Sequence, residues 1–288
     1  MGRSAIINGF GRTLGDSIIG LQALSVAIAR GSIAPRPTLF RLPGLSPIIA
    51  QAYEAAADLA EVAELPWEDA TRERPFAPTA TFSQAIDMRD FAFDPAFRCV
   101  AMIDYFLRCL GVDPASVPPA ERRNSWLAPR MPEKSRGGYV LVCPRTSSAL
   151  RNMPDEVHAH ILAWLTRHTG AEVLTQATLA PADTLDALCS MVAGARLIVS
   201  ADTAMVHLAD AFSTPCLAFF TSHRPEWRVR DYPRCHAEHL RPVGLPEALE
   251  LVRDDADIAA SRGAWFARGA DLAWLDKLLA NSWKGSAA

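Results

Sequence analysis

The sequence predicts an α/β protein built as two Rossmann-like domains facing a cleft, and three observations carry that expectation. Short β-branched runs alternate with stretches whose apolar residues recur at helical spacing, the pattern of parallel strands joined by helices. A Gly-rich or polar turn follows the first strand of each half, where such folds hold their ligands. Between the halves, Asp113 to Lys134 is rich in proline and charge and reads as a linker. The expected domains are residues 1–130 and 131–288, each large enough for its own core.

Taken in order, Ser4 to Asn8 reads as the first strand, Gly9 to Asp16 as a turn, and Ser17 to Arg30 as a helix closed by Gly31. Thr38 to Phe40 is the second strand, and Ile48 to Ala63 reads as one Ala-rich helix. Leu65 to Pro78 is irregular, Ala85 to Asp87 a short strand, and Phe97 to Leu110 an amphipathic helix. The second half opens with a strand from Tyr139 to Cys143, a polar turn, and a helix from Pro154 to Thr169 whose first turn has proline and acidic residues where they are favoured. Ala171 to Leu174 and Thr184 to Ala193 follow as strand and helix. Leu197 to Val199 is a strand, Ser200 to Thr203 break it, Met205, Leu208, Ala209 and Phe212 mark a helix, and Cys216 to Phe220 is the next strand. Helices are expected over Pro246 to Arg253 and Asp271 to Trp283, the latter with Trp274, Leu275, Leu278 and Leu279 on one side.

Composition narrows the function. Half of the 288 residues are hydrophobic and the formal net charge is −3, so nothing calls for a nucleic-acid partner. No uncharged apolar run is long enough for a transmembrane segment, which leaves room only for peripheral membrane contact. The N-terminus enters its first strand without a signal-peptide core, and the cysteines are scattered without a C-x-x-C pair, as expected of reduced thiols in a cytoplasmic protein. Cys235-His236-x-x-His239 lacks a second ligand pair, so no metal is assigned.

The most informative stretch is Val199-Ser-Ala-Asp-Thr-Ala-Met-Val-His207. Asp202 and Thr203 stand at the cap of a helix that begins at a strand's carboxyl end, where first-turn N–H groups suit an anion. His207 follows Thr203 by four residues and shares its face. A plain cap with a core histidine accounts for the same residues. The wording, however, resembles the donor-site motif of glycosyltransferase family 9, the bacterial heptosyltransferase-like enzymes, in which an Asp-Thr-Gly-x-x-His turn holds the diphosphate of a nucleotide sugar. The family's glycine is Ala204 here.

Two further turns extend the resemblance. Gly9-x-Gly11-x-x-x-Gly15 can be read as a loose dinucleotide fingerprint, with Arg41 meeting an NADP 2′-phosphate. It is also similar to the opening of the glycosyltransferases, whose Leu-Gly-Asp turn faces the cleft and supplies the general base. That resemblance implies Asp16 as catalytic base, with Gly15, Arg12 and Arg89 on the acceptor side; an N-cap aspartate is the purely structural alternative. The second turn, Thr146 to Pro154, offers hydroxyls and an arginine at a strand's carboxyl end. It resembles the family's hydroxyl-bearing turn, which implies that Thr146, Ser147 and Arg151 bind the donor diphosphate with Asp202, Thr203 and His207. Met153 stands where tryptophan is usual.

The chain also departs from the family. The usual extra helix and strand between Leu174 and Thr184 are missing, so base and ribose contacts cannot be carried over. Thr221 to Arg228 replaces the common Gly-Pro-Thr turn with arginines and a histidine able to face a phosphate. The resemblance as a whole implies a GT-B fold whose C-terminal helix returns to the N-terminal domain. It implies a metal-independent, inverting transfer of a sugar, such as a heptose, from a nucleotide-diphosphate sugar to a glycan or other hydroxyl acceptor, in bacterial surface glycan (lipopolysaccharide) synthesis and without a cofactor. Two other classes stay open: an NADP-dependent oxidoreductase using Gly9 to Gly15, and a non-catalytic binding protein that kept the fold.

Overall fold

The computed structural model describes residues 3–66, 82–132, 137–175, 183–248 and 251–286. The chain forms two compact units, Met1–Pro132 with Asp183–Asp186, and Glu133–Ala182 with Ala187–Ala288.

In the first unit, β1 (Ser4–Ile7), β2 (Thr38–Arg41), β3 (Glu61–Glu64) and β4 (Gln84–Asp87) form a parallel sheet in the order β3-β2-β1-β4. The central β1 is buried throughout, as a strand covered on both faces must be. Helix α1 (Leu14–Ala29) packs against α2 (Pro47–Ala55) and α3 (Met102–Cys109). Its Ile18, Ile19, Leu21 and Leu24 are at most 2% exposed, and burying each contributes about 1.5–3 kcal/mol. Gly20 makes room on α1 for Phe10, because a Cβ there would overlap the Phe10 ring. Phe10 also meets Phe106 edge-on at 5.2 Å, and Phe91 meets Phe97 and Phe106 in the same way.

Several expectations change here. Helix α1 starts three residues early because Thr13 is its N-cap and accepts the Asp16 N–H at 3.2 Å. Asp16 is therefore in the first helical turn and is not the cap. The predicted helix over Ile48 to Ala63 stops at Ala55, and Glu61–Glu64 pairs with β2 as an edge strand, with Arg41–Glu64 at 2.6 Å and Arg3–Glu61 as flanking ion pairs. Phe97 to Leu110 breaks into a 3-10 turn and α3. Leu65 to Pro78 lies, from residue 67 onward, outside the described residues.

The proposed linker is folded over its described part, residues 113–132. Its prolines begin 3-10 turns at Pro114–Ser116 and Pro119–Arg122, and Trp126, 3% exposed, donates its indole N–H to Ile18 O at 2.9 Å. Gln22 of α1 donates to Glu121 O and accepts from the Trp126 N–H. Segment and helix thus satisfy each other's polar groups.

In the second unit, β5 (Val140–Cys143), β6 (Val173–Thr175), β7 (Leu197–Ala201), β8 (Cys216–Phe220) and β9 (Cys235–His239) form a parallel sheet in the order β6-β5-β7-β8-β9. The helices are α4 (Asp155–Thr169), α5 (Leu185–Gly194), α6 (Ala204–Ala211), the single turn α7 (Glu226–Val229), α8 (Asp255–Ala264) and α9 (Ala273–Gly285). Strand order reverses between β5 and β7, so the loops leaving their carboxyl ends diverge and open a crevice suited to a ligand.

Two stretches differ from expectation in this unit. β9 occupies the stretch weighed as a metal site, and His236 there bonds Glu238 at 2.9 Å. The described residues of Pro246 to Arg253 are turn and loop, while α8 begins at Asp255 behind its cap Asp254. Leu275 and Leu279 are fully buried in the core built on β5, β7 and β8, beside Trp265, because that sheet face needs an apolar cover.

Candidate functional site

Several polar side chains of the second unit meet at the carboxyl ends of β5, β7 and β8. After β5, the turn is held by its own residues. Asn152 Oδ1 accepts the Thr146 N–H at 2.8 Å, and the Thr146 hydroxyl donates to Ser148 O and accepts the Ser148 N–H. The Thr146 hydroxyl thus organises the loop. Ser147 Oγ accepts from Arg151 Nη2 at 3.3 Å, and Arg151 Nη1 stands 3.5 Å from Asp202 Oδ2.

After β7, Asp202 is 2% exposed, and Thr203 alone is the N-cap of α6, accepting the Met205 N–H at 3.1 Å. A carboxylate only accepts hydrogen bonds, so Asp202 is fitted to aim donors and not to hold a phosphate itself. His207 is turned into the protein, its Nδ1 2.9 Å from the Tyr232 hydroxyl and its ring edge-on to the tyrosine. Burial pushes its pKa down to about 4 against the opposing pull of Asp202, with Arg228 and Arg151 adding to the lowering. His207 is therefore a neutral imidazole at pH 7, and Thr203 and His207, expected to point together, do different work.

After β8, Thr221 Oγ1 donates to Leu150 O at 2.6 Å and ties this turn to the Arg151 loop. His223, 2% exposed, brings Nδ1 to 2.8 Å from Ser222 Oγ and 4.0 Å from Asp202 Oδ2. Arg151, Asp202, Thr203, Ser147 and His223 are thereby assembled at one edge of one sheet. Asn152 and Tyr232 were missed by sequence reasoning. Tyr232 lies 25 residues from His207 and carries no local signal, whereas an asparagine closing a Thr-Ser-Ser turn is a recognisable turn residue.

In the first unit the Gly9 to Asp16 turn is packed against its own protein. Gly9 has φ +53°, and a Cβ on it would lie 2.8 Å from the Tyr53 hydroxyl, which accepts from the Phe10 N–H and Ser17 Oγ. Gly11 has φ +87°, with the Phe91 ring 3.0 Å and Asp16 Oδ2 3.4 Å from where its Cβ would be. The space that a dinucleotide fingerprint leaves for a pyrophosphate is here filled by Tyr53 and Phe91, and Arg41 is held by Glu64, so the features that suggested NADP have structural duties. Asp16 is half-buried, Gly15 lies within the first turn of α1, and Arg12 is exposed. Arg89, 4% exposed, is locked in a two-pronged contact with Asp87, with Nε–Oδ1 at 3.0 Å and Nη2–Oδ2 at 2.7 Å, and its position is structural.

Among the described residues no group of three or more His, Cys, Asp or Glu is arranged to hold a metal, and no helix is long and apolar enough to cross a membrane.

Comparison with known proteins places this edge in context. Residues 154–231 match the family model described as glycosyltransferase family 9 (heptosyltransferase), a span that includes Asp202, Thr203, His207 and His223 but neither Thr146 to Arg151 nor Asp16. No curated protein matches the chain. Among solved structures, the iron-containing dodecameric glycosyltransferase TibC of enterotoxigenic E. coli is similar over 100% of this chain and 77% of its own, with TM-score 0.63 and 15% identity. A family 9 glycosyl transferase of Veillonella parvula is similar over 99% and 97%, with TM-score 0.59 and 13% identity. The E. coli heptosyltransferase WaaC, solved with ADP, is similar over 82% and 93%, with TM-score 0.57 and 14% identity. At these identities the likeness establishes the fold.

Proposed function

We propose, from a chain that resembles glycosyltransferase family 9 in sequence over residues 154–231 and shares the fold of its solved members, that this protein transfers a sugar from a nucleotide-diphosphate donor to a hydroxyl acceptor. The observation that carries the reading is Arg151, 3.5 Å from buried Asp202 at the β5/β7 reversal and beside the capped start of α6. The Arg151 guanidinium, the Ser147 hydroxyl and the first-turn amides of α6 receive the diphosphate. Their donors are fixed before reaction and stabilise the negative charge that grows on the leaving diphosphate. His207, neutral and held by Tyr232, offers a donor without adding charge.

Asp16 is the base. The acceptor oxygen bonds to the anomeric carbon, its proton passes to the Asp16 carboxylate, and the bond from that carbon to the diphosphate oxygen breaks, which inverts the centre in a single displacement. Arginine and helix amides supply the compensating charge, so no metal is required. WaaC was solved with ADP, which makes an ADP-linked sugar, a heptose first, the donor to try, with a bacterial surface glycan as acceptor and the cytoplasm as the compartment.

A thermal-unfolding panel of ADP, GDP, UDP, CDP and NADP, with a chelator present, tests the donor site. One nucleoside diphosphate at a hundred times its dissociation constant should stabilise the protein by about 2.7 kcal/mol. Stabilisation by NADP alone would return the chain to the oxidoreductase reading.

A further inference from the structure

The turn after β8 puts a buried histidine beside Asp202. Asp202 Oδ2 has two basic neighbours, Arg151 Nη1 at 3.5 Å and His223 Nδ1 at 4.0 Å, and all three side chains come from different loops. His223 is also bonded to Ser222 at 2.8 Å, and its loop is tied to the Arg151 loop through Thr221. Around the same cluster, His207 of α6 is acted on by Asp202, Arg151 and Arg228 of α7 and is bonded to the Tyr232 hydroxyl, while Arg224 pairs with Glu247 at 2.7 Å.

A diphosphate and Asp202 compete for Arg151. When the guanidinium fork turns to phosphate oxygens, Asp202 loses its nearest cation while staying almost wholly out of water, and an uncompensated buried carboxylate is strongly disfavoured. The cost is avoided if a second basic group beside it can take up a proton, and His223 stands within 4.0 Å of the same oxygen.

We infer that His223 is a positioning residue that takes over Asp202 when Arg151 engages the diphosphate, taking up one proton on its imidazole as the nucleotide binds. It touches no reacting atom; it lets Arg151 move without stranding Asp202. The inference rests on the donor-site reading above. It makes binding proton-linked: affinity falls as pH rises, by up to about tenfold per pH unit for one linked proton.

The test is calorimetric titration of the full chain with ADP, followed by GDP, UDP and CDP, at pH 7.5 with a chelator and in buffers of different ionisation enthalpy. Wild type, His223→Gln and Asp202→Asn are compared, so any proton exchanged by the ligand itself cancels. Wild type should take up about 0.5–1 proton more per nucleotide than either variant, and His223→Gln should bind about tenfold more weakly at low pH. Asp202→Asn, which has no charge to strand, should lose the pH dependence whatever its affinity, and it serves alone if His223→Gln does not fold. Equal proton uptake in wild type and variants overturns the role of His223 while leaving the donor site in place. Failure of every nucleoside diphosphate to bind wild type removes the donor-site reading, and the inference with it.

Discussion

The corner from Ile7 to Asp16 in the first unit and the corner from Ala201 to His207 in the second share one topology, strand to turn to helix, each with a threonine cap. Their contents are opposite. In the first, positive-φ glycines let Tyr53 and Phe91 close against the backbone, and the carboxylate it offers to chemistry is the half-buried Asp16. In the second, no glycine lies between Asp202 and His207, and a buried carboxylate is held at long distance by Arg151 and His223. The same corner serves once as a packed mount for a single carboxylate and once as an electrostatic pocket whose members can change partners. Glycines in such a turn therefore report close approach, and what approaches is decided by the rest of the fold.

The largest expected effect separates the corners by the quantity they control. Asp16→Asn should lower turnover by about 10²–10⁴ while leaving nucleotide affinity within about twofold, whereas Arg151→Ala should weaken nucleoside diphosphate binding about ten- to a hundredfold. Steady-state kinetics beside direct titration measures both. Loss of nucleotide affinity in Asp16→Asn would break the division, and normal turnover would remove Asp16 from the chemistry; capping does not confuse the result, because Thr13 is the cap.

A smaller effect probes the packing that makes the first corner rigid. Gly20→Ala drives a methyl into the Phe10 ring and should cost about 1–3 kcal/mol in denaturant unfolding, and an unchanged midpoint would mean that Phe10 is not anchored there. The smallest contrast lies in the caps. Thr13→Ala and Thr203→Ala should each cost about 1 kcal/mol of stability, but only Thr203→Ala should also weaken nucleotide binding. Equal binding in both would make the second cap purely structural.

What the sequence made legible follows from where the information sits. Buried parallel strands such as Val140–Cys143 and Cys216–Phe220 announce themselves as apolar runs, since both faces are covered. Two of the edge strands do not: Glu61-Val-Ala-Glu and Cys-His-Ala-Glu-His239 are strands because of what they pair with, and tertiary pairing overrides weak propensity. The early start of α1 is readable in Thr13-x-x-Asp16, a capping pattern, but the glycines at 9, 11 and 15 make the same stretch read as a turn. Prolines between Asp113 and Pro132 mark turns as well as linkers, and only the anchoring of Trp126 tells which. At the site, Asp202, Thr203 and Arg151 were legible as loop residues at strand ends. The Tyr232 grip on His207 and the approach of His223 to Asp202 were not, because each is created by two loops meeting in space.

The burial of Leu275 and Leu279 against β5, β7 and β8 has a consequence for synthesis. The first sheet has all four of its strands once residue 87 has been made, but the second cannot close its core until residues 275–279 leave the ribosome. At about 5–20 residues per second, Val140 waits roughly 7–30 seconds for that cover. Throughout that interval the nascent chain carries an open apolar sheet face, so the second unit is the part of this protein whose folding depends on protection from chaperones or on the slow arrival of its own last helix.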